Sequence, residues 1–263
     1  MSKAFTHLSR LAAQPFTLNT LKAIRCALLE SSSRELPEWA SLDKGKTAAV
    51  LIPFCNVDEA PGILLQVRSR SMRSHSGEVC FPGGRVDESL DSSLVDTVLR
   101  ETFEELALTK DKIDLLGHIS PEKSLRGDTV WPFVGFVHHS TDRSSNIDGN
   151  EPLPSIDISV IERAAFKGEV AAIFHLPLAE LGNASRVRQY LFRDRRPYWA
   201  VEVSDLVQLG DDGIPFTNVS TETSQEDEVG GGREGRLEVW GLTGWYLSLL
   251  SSSLSSIRSI RVR

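Results

Sequence analysis

The chain reads as an α/β domain, a central mixed sheet between helical layers, with an N-terminal helix added and an acidic insertion late in the sequence. Two observations carry this reading. Short apolar runs of strand character stand before, between and after two helical segments of 3.6-residue period. Clusters of Gly, Pro, Asn and Asp separate them at intervals that suit turns. Its 263 residues, 40% hydrophobic and 25% charged, suit one generous domain with decorations. No apolar run approaches the roughly 18 residues of a membrane span, so no membrane is expected as a partner.

Residues 1–45 form a helical extension and connector. Leu18, Leu21, Ile24, Cys26, Leu28 and Leu29 give the helix an apolar side, and this reading is preferred to a transit peptide, although no acid precedes Glu30. Residues 46–250 form the single main domain. Thr47 to Phe54 reads as a buried strand and Gly62 to Val67 as its partner, joined by a polar turn from Asn56 to Pro61. After a central helix, Ile113 to Ile119 and Thr129 to Val137 read as two more strands, with Pro132 marking an edge or a bulge. Ser140 to Ser155 is a surface loop. Glu169 to Leu176 is a strand, followed by a short helix opening at Pro177. Tyr190 to Phe192 and Tyr198 to Val203 pair as a hairpin. Residues 206–235 carry few apolar side chains and are expected to be disordered. Order returns at Leu237 to Thr243, and Leu242, Trp245, Tyr246, Leu249 and Leu250 mark a last helix before a serine-rich tail, residues 251–263.

The chemistry is concentrated between Leu64 and Leu108. Leu94, Val95, Val98, Leu99, Phe103 and Leu106 recur at helical spacing and make one apolar stripe. On the other face Glu101, Glu104 and Glu105 stand at i, i+3 and i+4, within roughly a 100° arc, so three carboxylates can converge. Such a cluster repels itself unless cations enter it, and hard oxygen ligands suit Mg²⁺ or Mn²⁺. Upstream, Phe81-Pro82-Gly83-Gly84 supplies a rigid turn and two residues free to adopt positive φ or to let another chain segment approach. Asp91, Ser92 or Ser93 can cap the helix, and Asp87, Glu88 and Asp91 suit its positive end. Arg68 and Arg73 lie among serines before the glycines, where guanidinium groups can grip phosphate in bidentate fashion.

Gly84 and the run Arg100-Glu101-Thr102-Phe103-Glu104-Glu105-Leu106-Ala107-Leu108 resemble the Nudix box, GX5EX7REUXEEXGU with U aliphatic. Leu64-Leu65, Arg68-Ser69, Arg73, Gly77 and Phe81-Pro82-Gly83-Gly84 resemble LLTXRSX3RX3GX3FPGG, which marks the coenzyme A diphosphatase branch of that family, with Gln66 in place of threonine. There are three departures from the box. The loop from Gly84 to Arg100 is two residues longer, leaving Glu88 or Asp91 to stand in for the first glutamate; Thr102 replaces an aliphatic residue; and Ala107 replaces the glycine that would end the helix in a left-handed conformation. The later Trp240-Gly241-Leu242-Thr243 also resembles a segment of that branch.

The resemblance implies the Nudix α/β/α sandwich and hydrolysis of a diphosphate in coenzyme A, acyl-coenzyme A or oxidised coenzyme A, giving 3′,5′-ADP and 4′-phosphopantetheine or its derivative. It implies Glu101 and Glu105 as direct metal ligands, Glu104 as ligand through water or general base, Arg100 as their orienter, and Glu169 as a rival base. Arg68, Arg73, Gly83 and Gly84 form the substrate-binding set. Alternatives are a housecleaning pyrophosphatase for oxidised guanine nucleotides or nucleotide sugars, and a non-catalytic nucleotide-binding module.

Net charge bears on partners. Between Ser204 and Arg236 stand eight acidic and two basic residues, a balance of −6, which leaves only −1 of the total −7 for the rest. A nearly neutral body with local arginines suits a small phosphorylated ligand, whereas no basic stripe for nucleic acid is visible. A homodimer is left open. Cys26, Cys55 and Cys80 form no CXXC pair and read as reduced thiols of an intracellular protein, in a compartment that stays open. His75, His118, His138, His139 and His175 have no zinc spacing, and His175 reads as a satisfied core histidine.

Overall fold

The computed structural model describes residues 5–31, 35–72, 75–141, 148–192, 196–207 and 236–257. In chain order the elements are α1 (Thr6–Arg10), α2 (Leu18–Ser31), β1 (Thr47–Val57), β2 (Ala60–Arg68), β3 (Val79–Cys80), β4 (Gly83–Arg85), α3 (Leu94–Leu106), β5 (Ile113–His118), β6 (Glu122–Lys123), β7 (Thr129–Val137), α4 (Ile158–Ala164), β8 (Val170–Pro177), β9 (Val187–Phe192), β10 (Arg196–Glu202), β11 (Glu238–Val239) and α5 (Gly241–Ser253). No described helix is long and apolar enough to cross a membrane.

The run from Thr47 is nearly all apolar because β1 is covered on both faces. Its alternate residues divide between two cores. Ala48, Ile52 and Phe54 face one built with α1, α2, α5 and the small sheet β11-β10-β9; Ala49, Leu51 and Cys55 face the other, built with α3 and α4. The main sheet runs β3-β2-β1-β7-β5, with β4 added to β1, β6 to β7 and β8 to β2. It is mixed: β1 and β7 pair in parallel from Thr47↔Thr129 to Phe54↔Phe136, while the other pairs are antiparallel. A mixed sheet therefore lies between helical layers, and the small sheet thickens one side.

Several elements differ from the sequence reading. The turn after β1 is only Asp58-Glu59, both at positive φ, which suits the twist of a two-residue hairpin. Asn56 is therefore not in the turn. Fully buried, it accepts from Phe16 N (2.8 Å) and donates to Phe16 O (3.0 Å) and Leu153 O (2.8 Å), binding the N-terminal segment to the sheet. β7 is interior, although it contains Pro132. The proline carbonyl accepts from Ile119 N, one residue past β5, so its missing N–H faces the end of the ladder, and a bulge falls between Leu115 and Gly117. On α2, Cys26 and Leu29 point outward, and the buried stripe is Leu21, Ile24, Ala27 and Leu28. Leu28 packs beside Gly117, where an added Cβ would lie 3.1 Å from it.

The helix α4 and the short α1 are absent from the sequence reading. The signal for α4 was Asp157, whose carboxylate caps it by accepting from Ser159 N. The segment opening at Pro177 is a 3₁₀ turn, Leu178–Gly182. His175 is half-buried, with its Nε2 buried and unpartnered among the described residues, so that nitrogen is not satisfied, and desolvation pushes its pKa down to about 4. The helix α5 extends through Ser253, into the serine-rich segment 251–263. Leu206 and Val207, at the start of the acidic insertion, pack against the core; residues 208–235, and with them most of the disorder expectation, lie outside the described residues.

The central helix starts where expected: Ser93 is the N-cap and accepts from Asp96 N (3.1 Å). Its stripe is rotated slightly from the one read in sequence. Phe103 is 52% exposed, whereas Thr102 is buried and satisfies its hydroxyl on Val98 O (2.7 Å). At its end Ala107 takes φ 54°, ψ 24°, and its N–H donates to Phe103 O (2.8 Å). A Cβ in this conformation costs about 1–2 kcal/mol, part of which glycine would give back through unfolded-chain entropy. Ala107→Gly is therefore expected to stabilise the protein by roughly 0.5–1 kcal/mol, raising Tm by about 1–4 °C in a thermal melt. An unchanged or lower Tm would contradict the strain.

Candidate active site

The glycine turn is a short strand that carries two carboxylates. β4 pairs with β1 through Ala49↔Gly84 and Val50↔Gly83. Gly83 sits at φ 147°, and a Cβ there would come within 2.3 Å of Ala49 O. Its N–H donates to Glu105 Oε2 at 2.9 Å. Gly84 lies under the second carboxylate: an added Cβ would stand 2.4–2.6 Å from the Glu101 carboxyl atoms. Both glycines thus meet glutamates of α3, but glycine is required at 84 by the Glu101 carboxylate and at 83 by β1 and the positive φ.

Arg100 organises the outer edge. Its Nε and Nη2 donate to Asp91 Oδ1 (2.8 Å) and Oδ2 (3.0 Å), Nη2 also to Arg85 O (3.0 Å), and Nη1 to Glu101 Oε1 (2.9 Å) and Glu104 Oε2 (3.0 Å). All five N–H groups of a guanidinium are then in use, leaving none for a phosphate. Asp91 is buried; burial alone would raise its carboxyl, but Arg100, the Asp87 amide and the Thr97 hydroxyl hold it below the usual carboxylate range. Of the two stand-ins for the box's first glutamate, Asp91 therefore engages Arg100, while Glu88 pairs with Lys44 at 3.6 Å on the surface.

Glu105 is the floor of the site. Besides Gly83 N, its Oε2 accepts from Gln66 Nε2 (2.9 Å), and Arg68 Nη1 lies 3.8 Å from Oε1. Glu169 arrives at the head of β8, next to the β2 terminus; its carbonyl accepts from Ser69 N (2.7 Å), and its charge acts on both Arg68 and Glu101. Burial raises the Glu101 carboxyl, and the neighbouring Glu104 and Glu169 raise it further against the pull of Arg100. The Arg68 Nε is buried and unpartnered among the described residues. Cys80, opposite Gln66 in the β2–β3 ladder, is a third neighbour of Arg68, and burial pushes its thiol up to about 11. All three cysteines are free.

Glu101, Glu105, Glu169, Arg68, Gly83, Gly84 and Arg100 are thus brought together. Glu104 is half-exposed and turned to Arg100, so the three helix carboxylates do not converge on one point. Arg73 lies outside the described residues. Among the described residues no three Asp, Glu, His or Cys side chains could ligate one ion together. The donor chemistry still fits a hard divalent cation, since Mg²⁺ is commonly held by one or two carboxylates with water and phosphate oxygens completing its shell. The crowding of like charge on Glu101 and Glu105 is what such a cation would relieve. Gln66 and Cys80 were missed by sequence reasoning; the only signal was a polar side chain inside the apolar run Leu64 to Val67.

Burial pushes the Glu105 carboxyl up to about 7, against the Gly83 amide, the Gln66 amide and Arg68. A carboxyl whose folded pKa exceeds its usual 4.5 supplies stability that is complete below 4.5 and lost as pH rises through about 7. For this group the loss is on the order of 3 kcal/mol. In metal-free protein, Glu105→Gln should therefore melt increasingly above the parent as pH rises from about 5 to 8. A gap independent of pH would overturn this account of the buried charge.

With this geometry in view, comparison with known proteins gives consistent results. The family model of the NUDIX domain matches residues 45–191, more than half of the chain. The Nudix hydrolase NudL of Enterobacter sp. (strain 638) is 38% identical over 141 residues, covering 54% of this chain and 62% of that one. Nudix hydrolase 3 of Caenorhabditis elegans is 35% identical over 141 residues, covering 53% and 50%. The chain thus spans about half to three-fifths of the length of these curated relatives. Among solved structures, the NUDIX domain of Shewanella oneidensis NrtR complexed with ADP ribose matches over 54% of this chain and 82% of that one, at 21% identity and a TM-score of 0.33, too low to argue from. The family match rests on the segment that holds β1 through β8 and every residue of the cluster just described: the chain belongs to the NUDIX domain family.

Proposed function

We propose that this protein is a divalent-metal-dependent hydrolase that splits the diphosphate of coenzyme A, or of its acyl or oxidised forms, into 3′,5′-ADP and a 4′-phosphopantetheine product. The observation that carries the reading is the seating of two glutamates of one helix, Glu101 and Glu105, on the Gly83–Gly84 strand, with Arg68 and Glu169 at their side. The relatives named Nudix hydrolase support the reaction class. The coenzyme A assignment is supported by the register of Leu64 to Gly84 with the motif of that branch.

Glu101 and Glu105 would hold Mg²⁺ or Mn²⁺, with Glu104 reaching it through water. When bound, the ion neutralises phosphate oxygens and lowers the pKa of the attacking water. The chain's own residues do the rest. Arg100 holds Glu101 and Glu104 in place, having no donor left for substrate. Glu104 or Glu169 takes the proton of the water, Glu104 being the more exposed and Glu169 lying next to Arg68. Arg68 sits beside Glu105 and Glu169 at the metal-binding carboxylates and is assigned to the diphosphate, with Arg73 assigned to the 3′-phosphate.

Glu101→Gln or Glu105→Gln should lower kcat at least about a hundredfold with the fold intact by circular dichroism, since each removes charge and little packing. Full activity in either variant would remove the metal assignment. Arg68→Ala should lose kcat/KM about equally on coenzyme A and on 3′-dephospho-coenzyme A. Arg73→Ala should lose about ten- to a hundredfold on coenzyme A alone, the value of one charge-assisted hydrogen bond. Equal loss on both substrates in both variants would shift the assignment to another diphosphate. A panel of coenzyme A species, oxidised guanine nucleotides and nucleotide sugars, with products identified by mass, would then identify it.

A further inference from the structure

Gln66 is 1% exposed in the middle of β2, between the buried Leu65 and Val67 and opposite Cys80 and Ile173 in the ladders. Its Nε2 donates to Glu105 Oε2 at 2.9 Å and lies 3.6 Å from Cys80 Sγ, while its own Oε1 is buried without a partner among the described residues. A buried amide with an orphaned acceptor is destabilising, so it calls for a reason. Turning the amide over would set Oε1 against the Glu105 carboxylate, oxygen against oxygen, so the nitrogen is fixed as the donor. Gly83 N donates to the same Oε2 at 2.9 Å. Both short hydrogen bonds to the carboxylate thus fall on one oxygen. Among the described residues the other, Oε1, has no hydrogen bond, with Arg68 Nη1 at 3.8 Å and outside hydrogen-bond range. The related motif has threonine at position 66, whose hydroxyl ends two carbons nearer the backbone, so this contact belongs to the present chain and not to the pattern.

We propose that Gln66 is a positioning residue: with Gly83 N it takes up Glu105 Oε2 and presents Oε1 alone to the metal, making Glu105 a one-oxygen ligand of fixed orientation. This rests on the reading of Glu105 as a metal ligand. Partners that orient a metal-binding side chain typically change metal affinity about ten- to a hundredfold when removed. For metal-free stability the two effects of an apolar residue of similar volume oppose each other: it removes the orphaned Oε1 and also one donor to the Glu105 carboxylate.

The test is a Mn²⁺ titration of the full chain, followed by the loss of the free-ion signal in electron paramagnetic resonance, for the parent, Gln66→Met, Gln66→Leu and Glu105→Gln. The expected result is a Kd for Mn²⁺ about ten- to a hundredfold weaker in Gln66→Met and Gln66→Leu, with metal-free Tm within roughly 3 °C of the parent or above it. At saturating Mn²⁺ the kcat should stay within about threefold, because the ligand is still present. Glu105→Gln should weaken binding at least as much. If Glu105→Gln loses Mn²⁺ while both Gln66 variants bind it within about twofold of the parent, the positioning role is overturned and the metal site stands. If the parent and Glu105→Gln bind Mn²⁺ alike, the metal reading fails, and the role of Gln66 with it.

Discussion

The Arg100 guanidinium directs five N–H groups to three separate pieces of chain: the loop at Asp91, the carbonyl of Arg85 on β4, and two glutamates of its own helix. The arrangement of the site depends on this. Asp91 is buried and would be an uncompensated charge without Arg100, a situation that costs about 3–5 kcal/mol when a buried pair is broken. The loop from Gly84 to Ser93 is therefore pinned at both ends, by sheet pairing at β4 and by Asp91 on the helix.

The inner half of the site follows a different logic. Among the described residues Glu105 has no cationic partner within hydrogen-bond distance and is stabilised instead by two neutral amides, with Arg68 further away. Burial outweighs them and raises its carboxyl. The backbone makes the arrangement possible only at glycine, since a side chain at position 84 would occupy the space of the Glu101 carboxylate and one at 83 would collide with β1. Stability is given up locally for a negative pocket floor, as is usual where pKa values are shifted at functional sites.

Much of this was legible in the sequence. The strand pair at Thr47 and Gly62, the strand Thr129–Val137 and the start of α3 at one of the three candidate caps, Ser93, follow from period and capping chemistry; the left-handed end at Ala107 did not, because alanine stands where glycine would mark it. The short strands β3, β4 and β6 were not legible, because two or three residues carry no period. Asn56 was misplaced because asparagine favours turns in isolation, and only tertiary contacts from Phe16 and Leu153 make it a core residue. Phe103 was placed inside by hydrophobicity alone and is half-exposed; Thr102, at the box's aliphatic position, goes fully inside because its hydroxyl bonds back to Val98 O. In the site, the glutamates were found by spacing, whereas Gln66 and Cys80 are joined to them only by the register of β2 and β3.

The packing of α2 on β5 also affects how the chain is made. Arg25 meets the Leu115 carbonyl 90 residues later in the sequence, and β1 must wait about as long for its parallel neighbour β7. A ribosome delivers residues in order at about 5–20 per second, so the helix and the β1–β2 hairpin emerge several seconds before either can be covered. Over that interval the β1 face carrying Ala49, Leu51 and Cys55, later covered by α3 and α4, is open to other chains. Non-local closure of this kind slows folding and leaves that face exposed to aggregation until β7 and the helix α3 arrive.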